Sequence, residues 1–306
     1  MIVFNSNPRQ YHGKVELIRT IAAKPAFAKH RAALIKRMIY FMGILLAGYL
    51  LVVGGLYVFQ RNLMYHPDQT IATPQSFGVP EMTAERLPTS DGFPLLAWWR
   101  PPVTADAPVL LYLHGNAGHL GDRAEKVRPY LEAGFGVLLV TYRYNAGAGG
   151  SPSEAGLTED GRTAIAFLEA QGVSKDRIVL YGESLGTGLV AKLATEDRYR
   201  AVVLEAPYSS VADVAASIYW YVPVRFLLKD HYDTTAIINN IEAPLLIVHG
   251  KQDRVIPVRF AERLFAAAVE PKQFLLVDEA HHTNLYDYGM GKLVLDFLSD
   301  VSATRP

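Results

Sequence analysis

The strongest structural signal in this chain is the stretch from Arg177 to Ala194, which reads R-I-V-L-Y-G-E-S-L-G-T-G-L-V-A-K-L-A. Its beginning, Ile178 to Tyr181, is a short apolar run rich in β-formers, which is typical of a buried strand. From Leu185 onward the residues are small and apolar with few breakers, which favours a helix. Between them lies a G-x-S-x-G match centred on Ser184. This pattern predicts a sharp strand-to-helix turn that exposes a nucleophilic serine.

The same letters also fit a second motif. Gly186 begins a G-x-G-x-x-A match that ends at Ala191, and Glu205 follows Gly186 by 19 residues at the end of the next apolar run. That spacing is close to the one found in dinucleotide-binding βαβ units. The rest of the chain has to decide between a hydrolase and a nucleotide-binding protein.

The overall composition is that of an enzyme-sized globular domain joined to one very apolar stretch. The chain has 306 residues, of which 50% are hydrophobic and 20% are charged, and its formal net charge is zero. It contains no cysteine. This excludes disulfides, a cysteine nucleophile and a thiolate zinc site, and it leaves the redox compartment open.

The apolar stretch is a predicted transmembrane helix over residues 38–60. These 23 residues carry no charge, and as a helix they would span roughly 35 Å, enough to cross the hydrocarbon core of a bilayer. Aromatic residues stand near both ends of the run, where the two membrane–water interfaces would lie.

The charge distribution predicts the orientation of this span. Residues 1–37 contain eight Lys and Arg against one acid, a net charge of +7, and the remainder of the chain carries −7. By the positive-inside rule, residues 1–37 form a basic cytoplasmic tail and the large C-terminal part is exported. Met38 is an alternative start, in which case the tail would be absent. We expect a bacterial inner-membrane protein with its main domain in the periplasm and with no nucleic-acid partner.

After the span, residues 61–80 contain three prolines and are predicted to form a juxtamembrane connector. Residues 81–306 alternate apolar runs with helical patterns, which predicts an α/β domain with a mainly parallel sheet covered on both faces. An insertion at about residues 209–240 contains I-Y-W-Y-V-P-V-R-F-L-L. This segment is either a short lid or pocket wall for an acyl chain, or ordinary helix packing against the sheet.

Polar residues follow the predicted strands at their carboxyl ends, where sites gather in such sheets. One strand is followed by H-G-N-A-G at 114–118, and others by Ser184, Asp253 and the pair His281-His282. The order Ser, Asp, His is the order of an α/β-hydrolase triad. Spacing does not separate His281 from His282, and two further acids, Glu205 and Asp278, also lie near strand ends.

From about Phe59 to its C-terminus the chain resembles the membrane-anchored Bem46-type α/β-hydrolases. The matching segments after the span are F-Q-R-N-L-M-Y-H-P, H-G-N-A-G, S-P-S-E-A-G-L, G-E-S-L-G-T-G, P-L-L-I-V-H-G-K-Q-D-R-V-I-P and the terminal histidine pair. The resemblance implies an α/β-hydrolase fold and a serine hydrolase.

The resemblance also implies roles for individual residues. Ser184 is the expected nucleophile and Asp253, which fits H-G-x-x-D-x-x-x-P, the acid that orients the base. His282 is preferred over its neighbour as the general base, because the family's histidine precedes a short polar pair. The backbone N–H groups of Leu185 and Asn116 are the expected oxyanion hole.

No cofactor is expected, and no metal either, because the histidine pair has no second ligand motif with it. We expect cleavage of an ester or thioester in a small-molecule or acylated substrate. The alternatives are an aminopeptidase or amidase of the same fold and a non-catalytic membrane-anchored binding or scaffold protein. The sequence leaves the natural substrate and the oligomeric state open.

Overall fold

A computed structural model describes residues 25–303, and its central feature is an eight-stranded sheet with the strand order β1-β2-β4-β3-β5-β6-β7-β8. The strands are β1 (Thr83–Pro88), β2 (Pro94–Arg100), β3 (Val109–Leu113), β4 (Gly136–Val140), β5 (Ile178–Glu183), β6 (Ala201–Glu205), β7 (Leu245–Gly250) and β8 (Lys272–Val277). Strands β3 to β8 run parallel, and β1 and β2 are antiparallel to their neighbours. The predicted mainly parallel sheet is confirmed.

Strand β1 is absent from the sequence-based expectation. It lies at the edge of the sheet and reads T-A-E-R-L-P, in which only Leu87 is buried. An edge strand with one buried side chain carries too weak an apolar pattern to be recognised.

Helices pack on both faces of the sheet. The α-helices of the described residues are α1 (Pro25–Met64), α2 (Ala124–Glu132), α3 (Glu154–Ala170), α4 (Leu185–Ala194), α5 (Val211–Ile218), α6 (Val224–Leu227), α7 (Thr234–Ile237), α8 (Arg259–Ala267) and α9 (Met290–Ala303). Apolar side chains of α3, α4 and α8 pack in the core on one face, and those of α2 and α9 pack on the other. Because both faces are covered, β3 to β7 are buried along their whole length.

Helix α1 is long and apolar enough to cross a membrane, and it contains the predicted span of residues 38–60. The helix continues to Met64, into the predicted connector, because no helix breaker occurs before Pro67. The chain divides into two compact units after Leu56, and the second unit, from Tyr57 onward, contains the whole sheet. Of the predicted basic tail, residues 1–24 lie outside the described residues.

The insertion between β6 and β7 folds into the three short helices α5, α6 and α7. Its large apolar residues Ile218, Trp220, Tyr221 and Phe226 are exposed. Ordinary helix packing against the sheet does not account for these four side chains, whereas Ala212, Tyr232 and Ile238 of the same segment are buried.

Candidate active site

Ser184 lies in a strained turn between β5 and α4. Its φ of 49° and ψ of −114° are values that residues with a side chain seldom adopt. The two flanking glycines make the turn possible. A Cβ on Gly182 would lie 2.6 Å from the carbonyl oxygen of Gly186, and a Cβ on Gly186 would collide with the carbonyl oxygen of Leu113. The G-x-S-x-G pattern thus reflects a backbone packed too closely for any larger residue at these positions.

The structure brings Ser184, His282 and Asp253 together in a continuous hydrogen-bonded row. The Nε2 atom of His282 lies 3.0 Å from Ser184 Oγ, and its Nδ1 atom lies 2.7 Å from Asp253 Oδ2. A carboxylate accepts hydrogen bonds only, so Nδ1 carries the hydrogen and Nε2 is left to accept one from the serine hydroxyl. This is the protonation pattern that a general base requires.

Asp253 is buried and fixed by three hydrogen bonds. Its Oδ1 atom accepts from the backbone N–H groups of Val255 and Ile256, each at 2.8 Å, while Oδ2 accepts from His282. Burial opposes ionisation, but the hydrogen bond and charge of His282, together with the Ile256 amide, hold the pKa of Asp253 below its usual value. The carboxylate therefore stays ionised beside the imidazole.

The structure separates the two adjacent histidines. His281 is exposed, and its backbone N–H donates to Asn284 Oδ1 at 2.8 Å. The backbone of this loop lies against the end of β7, where a Cβ on Gly250 would lie 2.9 Å from the carbonyl oxygen of His281 and would collide with that of Ala280. On this loop His282, and not His281, faces Ser184.

The H-G-N-A-G loop lies beside the nucleophile. A Cβ on Gly115 would be 3.4 Å from the Cβ of Ser184. The expected oxyanion donors, the N–H groups of Asn116 and Leu185, make no hydrogen bond to other groups in the described part of the chain. Both remain able to bind a substrate oxygen, which is the requirement for an oxyanion hole.

His114 anchors the base of this loop. It is fully buried, and its Nδ1 atom donates to the carbonyl oxygen of Gly115 at 2.6 Å. The carbonyl oxygen of His114 accepts from the hydroxyl of Tyr142 at 2.6 Å. Burial and the nearby charge of Arg123 lower the pKa of His114 to about 3. The imidazole is therefore neutral and structural at neutral pH.

Asn116 also connects this loop to the end of helix α1. Its Nδ2 atom donates to the carbonyl oxygen of Met64. The backbone carbonyl oxygen of Asn116 accepts from the hydroxyl of Tyr144 at 3.3 Å. The position of the loop is thus set partly by the residues that follow the predicted span.

A buried network of charges lies behind the nucleophile, and sequence reasoning did not predict it. Glu183 accepts from Arg123 Nε at 3.1 Å and lies 3.3 Å from Lys126 Nζ. Lys126 also donates to Glu205 at 2.8 Å, and the hydroxyl of Tyr112 donates to Glu183 at 2.9 Å. Burial opposes ionisation of Glu183, but the charges of Lys126 and Arg123 hold its pKa well below the usual range. The only sequence signal was the position of Glu183 beside the serine.

The contacts of Glu205 exclude it both as the acid of the triad and as the ribose-binding acid of a dinucleotide site. Its carboxylate is fully buried and also accepts from the hydroxyl of Tyr181 at 2.7 Å, so it reaches neither His282 nor a nucleotide ribose. Gly188, central to the dinucleotide motif, is covered by Tyr208 and Tyr232. The other competing acid, Asp278, is exposed and forms an ion pair with Lys251 at 3.2 Å.

Comparison with known proteins finds relatives and a shared fold over most of the chain. The model of the prolyl oligopeptidase family matches residues 157–292. An uncharacterized protein of Mycobacterium tuberculosis is 37% identical over 254 residues, which cover 80% of this chain and 89% of the relative. Protein bem46 of Schizosaccharomyces pombe is 28% identical over 280 residues, covering 85% and 93%. An esterase of Pyrococcus furiosus shares the fold with a TM-score of 0.61 and 19% identity, over 77% of this chain and 98% of the esterase.

Proposed function

We propose that this chain, which belongs to the Bem46-like family of α/β-hydrolases, is a membrane-anchored serine hydrolase that cleaves a carboxylic ester or thioester. The observation that carries the proposal is the row from Ser184 Oγ through His282 to Asp253, with separations of 3.0 and 2.7 Å, set on a strained turn beside two available N–H groups. Strained backbone of this kind persists where the surrounding structure enforces it, as at catalytic nucleophiles.

The proposed reaction proceeds in two halves through an acyl-enzyme. Ser184 Oγ attacks the carbonyl carbon while His282 Nε2 takes the hydroxyl proton, and Asp253 stabilises the resulting imidazolium. The N–H groups of Leu185 and Asn116 bind the oxyanion, at about 3 kcal/mol of transition-state stabilisation per donor. His282 then gives its proton to the departing alcohol or thiol. A water molecule, activated in the same way, attacks the acyl-enzyme and releases the acid.

An ester or thioester fits the site better than the N-terminus of a peptide. An aminopeptidase needs an unpaired acceptor, usually a carboxylate, to hold the substrate ammonium group. Three carboxylates end β5 and β6 or follow β7, namely Glu183, Glu205 and Asp253, and all three are paired with groups of the protein. None of these three is left to bind a substrate ammonium group, which favours an ester or thioester over the N-terminus of a peptide.

The test is a comparison of p-nitrophenyl esters with aminoacyl-anilides, turned over by the full chain in detergent. We expect faster ester cleavage, and we expect Ser184→Ala to abolish it. Faster cleavage of the anilides would overturn the ester preference and leave the serine hydrolase intact. No turnover of either class by folded protein would favour a binding or scaffold role.

For the location of the enzyme, the proposal is a single bilayer anchor formed by α1, with the catalytic domain in the bacterial periplasm. It rests on the apolar character of α1 and on the positive charge of residues 1–37. Protease added to spheroplasts should digest the catalytic domain. Protection from the protease would reverse the proposed topology.

A further inference from the structure

We infer that the exposed apolar surface of the insertion docks on the bilayer that holds the anchor. This surface, the lid face, consists of Ile218, Trp220, Tyr221 and Phe226. Trp220 is 81% exposed and Phe226 90% exposed. Large aromatic side chains this exposed and this close in sequence mark a surface that contacts something apolar. The inference rests on the proposed membrane anchoring and goes beyond it.

The place at which the insertion is attached to the rest of the chain indicates that the apolar partner is the bilayer. The side chain of Gln60 donates to the carbonyl oxygen of Leu227 at 3.2 Å and accepts from the N–H of Lys229 at 2.7 Å. Arg61 binds both carboxylate oxygens of Asp230, at 2.7 and 2.9 Å. The lid is thus fastened immediately after Phe226, the most exposed member of the lid face.

The residues that hold the lid are those at which the predicted span ends. Residues 38–60 carry no charge and Arg61 is the first charge after them, so Gln60 and Arg61 mark the membrane–water boundary on this side of the bilayer. The ammonium group of Lys229 lies 4.7 Å from the centre of the Tyr57 ring, one helical turn before that boundary. The lid face therefore lies next to the level at which the chain leaves the lipid.

The composition of the lid face fits lipid headgroups and the first part of the acyl chains. Trp and Tyr concentrate at membrane interfaces because their rings are apolar at one end and polar at the other. Lys229, an exposed cation close to the aromatic residues, can contact lipid phosphates. The neighbouring Arg225 is also exposed but is already paired with Asp213 at 2.5 Å. A protein partner would explain the exposed aromatic rings but not their attachment at the boundary residues.

Docking would bring the proposed active site to the bilayer surface. The insertion begins directly after Glu205, whose carbonyl oxygen accepts from the N–H of Ser184 at 2.9 Å. Tyr208, within the insertion, donates to the carbonyl oxygen of Leu185 at 3.1 Å. Because residues 227–230 of the insertion are tethered at Gln60 and Arg61, the insertion connects the nucleophile with the membrane boundary. The substrate class that this arrangement fits is an acyl ester or thioester that resides in the membrane leaflet.

The natural tryptophans provide the measurement. The chain has three, and of these Trp98 and Trp99 are buried in β2 while Trp220 belongs to the lid face. The full chain would be reconstituted in phosphatidylcholine vesicles, with and without bromine near the carboxyl end of one acyl chain. Bromine quenches tryptophan only on close approach. We expect the Trp220 emission, defined as the difference between wild type and Trp220→Phe, to fall severalfold in the brominated vesicles.

The matched control moves the tryptophan to an exposed aliphatic position far from the lid. Val103 is exposed in the loop before β3, at the amino ends of the parallel strands, whereas Ser184 lies at their carboxyl ends. In the background of Trp220→Phe, Val103→Trp should show emission that brominated lipid leaves unchanged. Equal emission of Trp220 in both kinds of vesicle, from protein that stays with the bilayer after an alkaline wash, would overturn the inference.

Other outcomes separate this inference from the proposed function. Protein that the alkaline wash removes from the vesicles would contradict the anchor itself. Ser184→Ala should show the same quenching as wild type, because docking does not require the nucleophile. Ester turnover by the wild type is measured independently, so quenching without turnover would contradict the hydrolase and keep the docking surface. Quenching of Trp220 and Val103→Trp alike would point to aggregation on the vesicles and would refute specific docking.

Discussion

Replacing Asp253 by asparagine tests the geometry of the proposed triad with a change of only one atom. The new amide oxygen can still accept from the N–H groups of Val255 and Ile256, which lie at 2.8 Å from Oδ1 now. The amide NH₂ group then faces His282 Nδ1, which in the wild type donates to Asp253 Oδ2 at 2.7 Å. A donor at this place forces the imidazole hydrogen onto Nε2, where it points at Ser184 Oγ.

The wrong tautomer cannot take the serine proton, so the chemical step should fail while the fold survives. In serine hydrolases with this geometry the same substitution lowers kcat by about 10⁴, which corresponds to about 5 kcal/mol of transition-state stabilisation. The assay is kcat for a p-nitrophenyl ester, with a thermal melt of the same sample. We expect Asp253→Asn to show this loss of kcat with a cooperative melt.

The control is Asp278→Asn, which changes an exposed carboxylate whose Lys251 ion pair contributes little to stability. It should leave kcat unchanged. If Asp253→Asn kept kcat within about tenfold of wild type, the tautomer argument would be refuted. Loss of activity in Asp278→Asn but not in Asp253→Asn would identify Asp278, which follows β8, as the catalytic acid.

Three further predictions concern the structure that supports the site. Burial lowers the pKa of His114 from 6.5 to about 3, so this side chain binds a proton more readily in the unfolded chain than in the folded one. The free energy of unfolding should therefore fall as the pH drops below about 6.5, by about 3 kcal/mol at pH 4. His114→Gln should flatten this pH dependence in thermal melts at several pH values, and equal slopes for the two proteins would contradict the argument. Gly186→Ala should cost more than about 3 kcal/mol of stability because its Cβ collides with backbone, and a wild-type melting temperature would disprove the predicted clash. Glu183→Gln should destabilise the fold by about 3 kcal/mol or more, since Arg123 and Lys126 would lose a buried counter-charge, and an unchanged melt would show that the network adds no stability.

Much of this site is predictable from sequence because parallel strands end at the same edge of a sheet. Residues that follow separate strands, such as Ser184 and Asp253, are therefore expected near one another once the strands are recognised. The glycine pair around Ser184 has a local cause, a backbone turn in which a Cβ does not fit. Such local requirements produce a sequence motif that can be recognised without the structure.

The choice between His281 and His282 depends on packing that no local pattern records. The loop that carries both residues packs against Gly250, a residue 31 positions before His281. Spacing alone treats two adjacent residues as equivalent, although their side chains point in different directions. Only the resemblance to a family favoured one of them before the structure was known.

The buried charges and the lid tether were missed for a related reason. The contacts of Arg123 with Glu183 and of Lys126 with Glu205 join residues 60 and 79 positions apart. The bond between Arg61 and Asp230 joins residues 169 positions apart. Each of these charges, read alone, is typical of a solvated surface. Their pairing emerges only from the tertiary fold.

An activated serine can be detected directly with a fluorophosphonate probe, which reacts with serine nucleophiles that a base has primed. Wild type, Ser184→Ala, His281→Ala and His282→Ala would be labelled side by side after their folding is checked by thermal melts. We expect labelling of the wild type and of His281→Ala, and none of Ser184→Ala or His282→Ala. Absence of labelling in folded wild type, or labelling that depends on His281 and not on His282, would contradict the proposed active site.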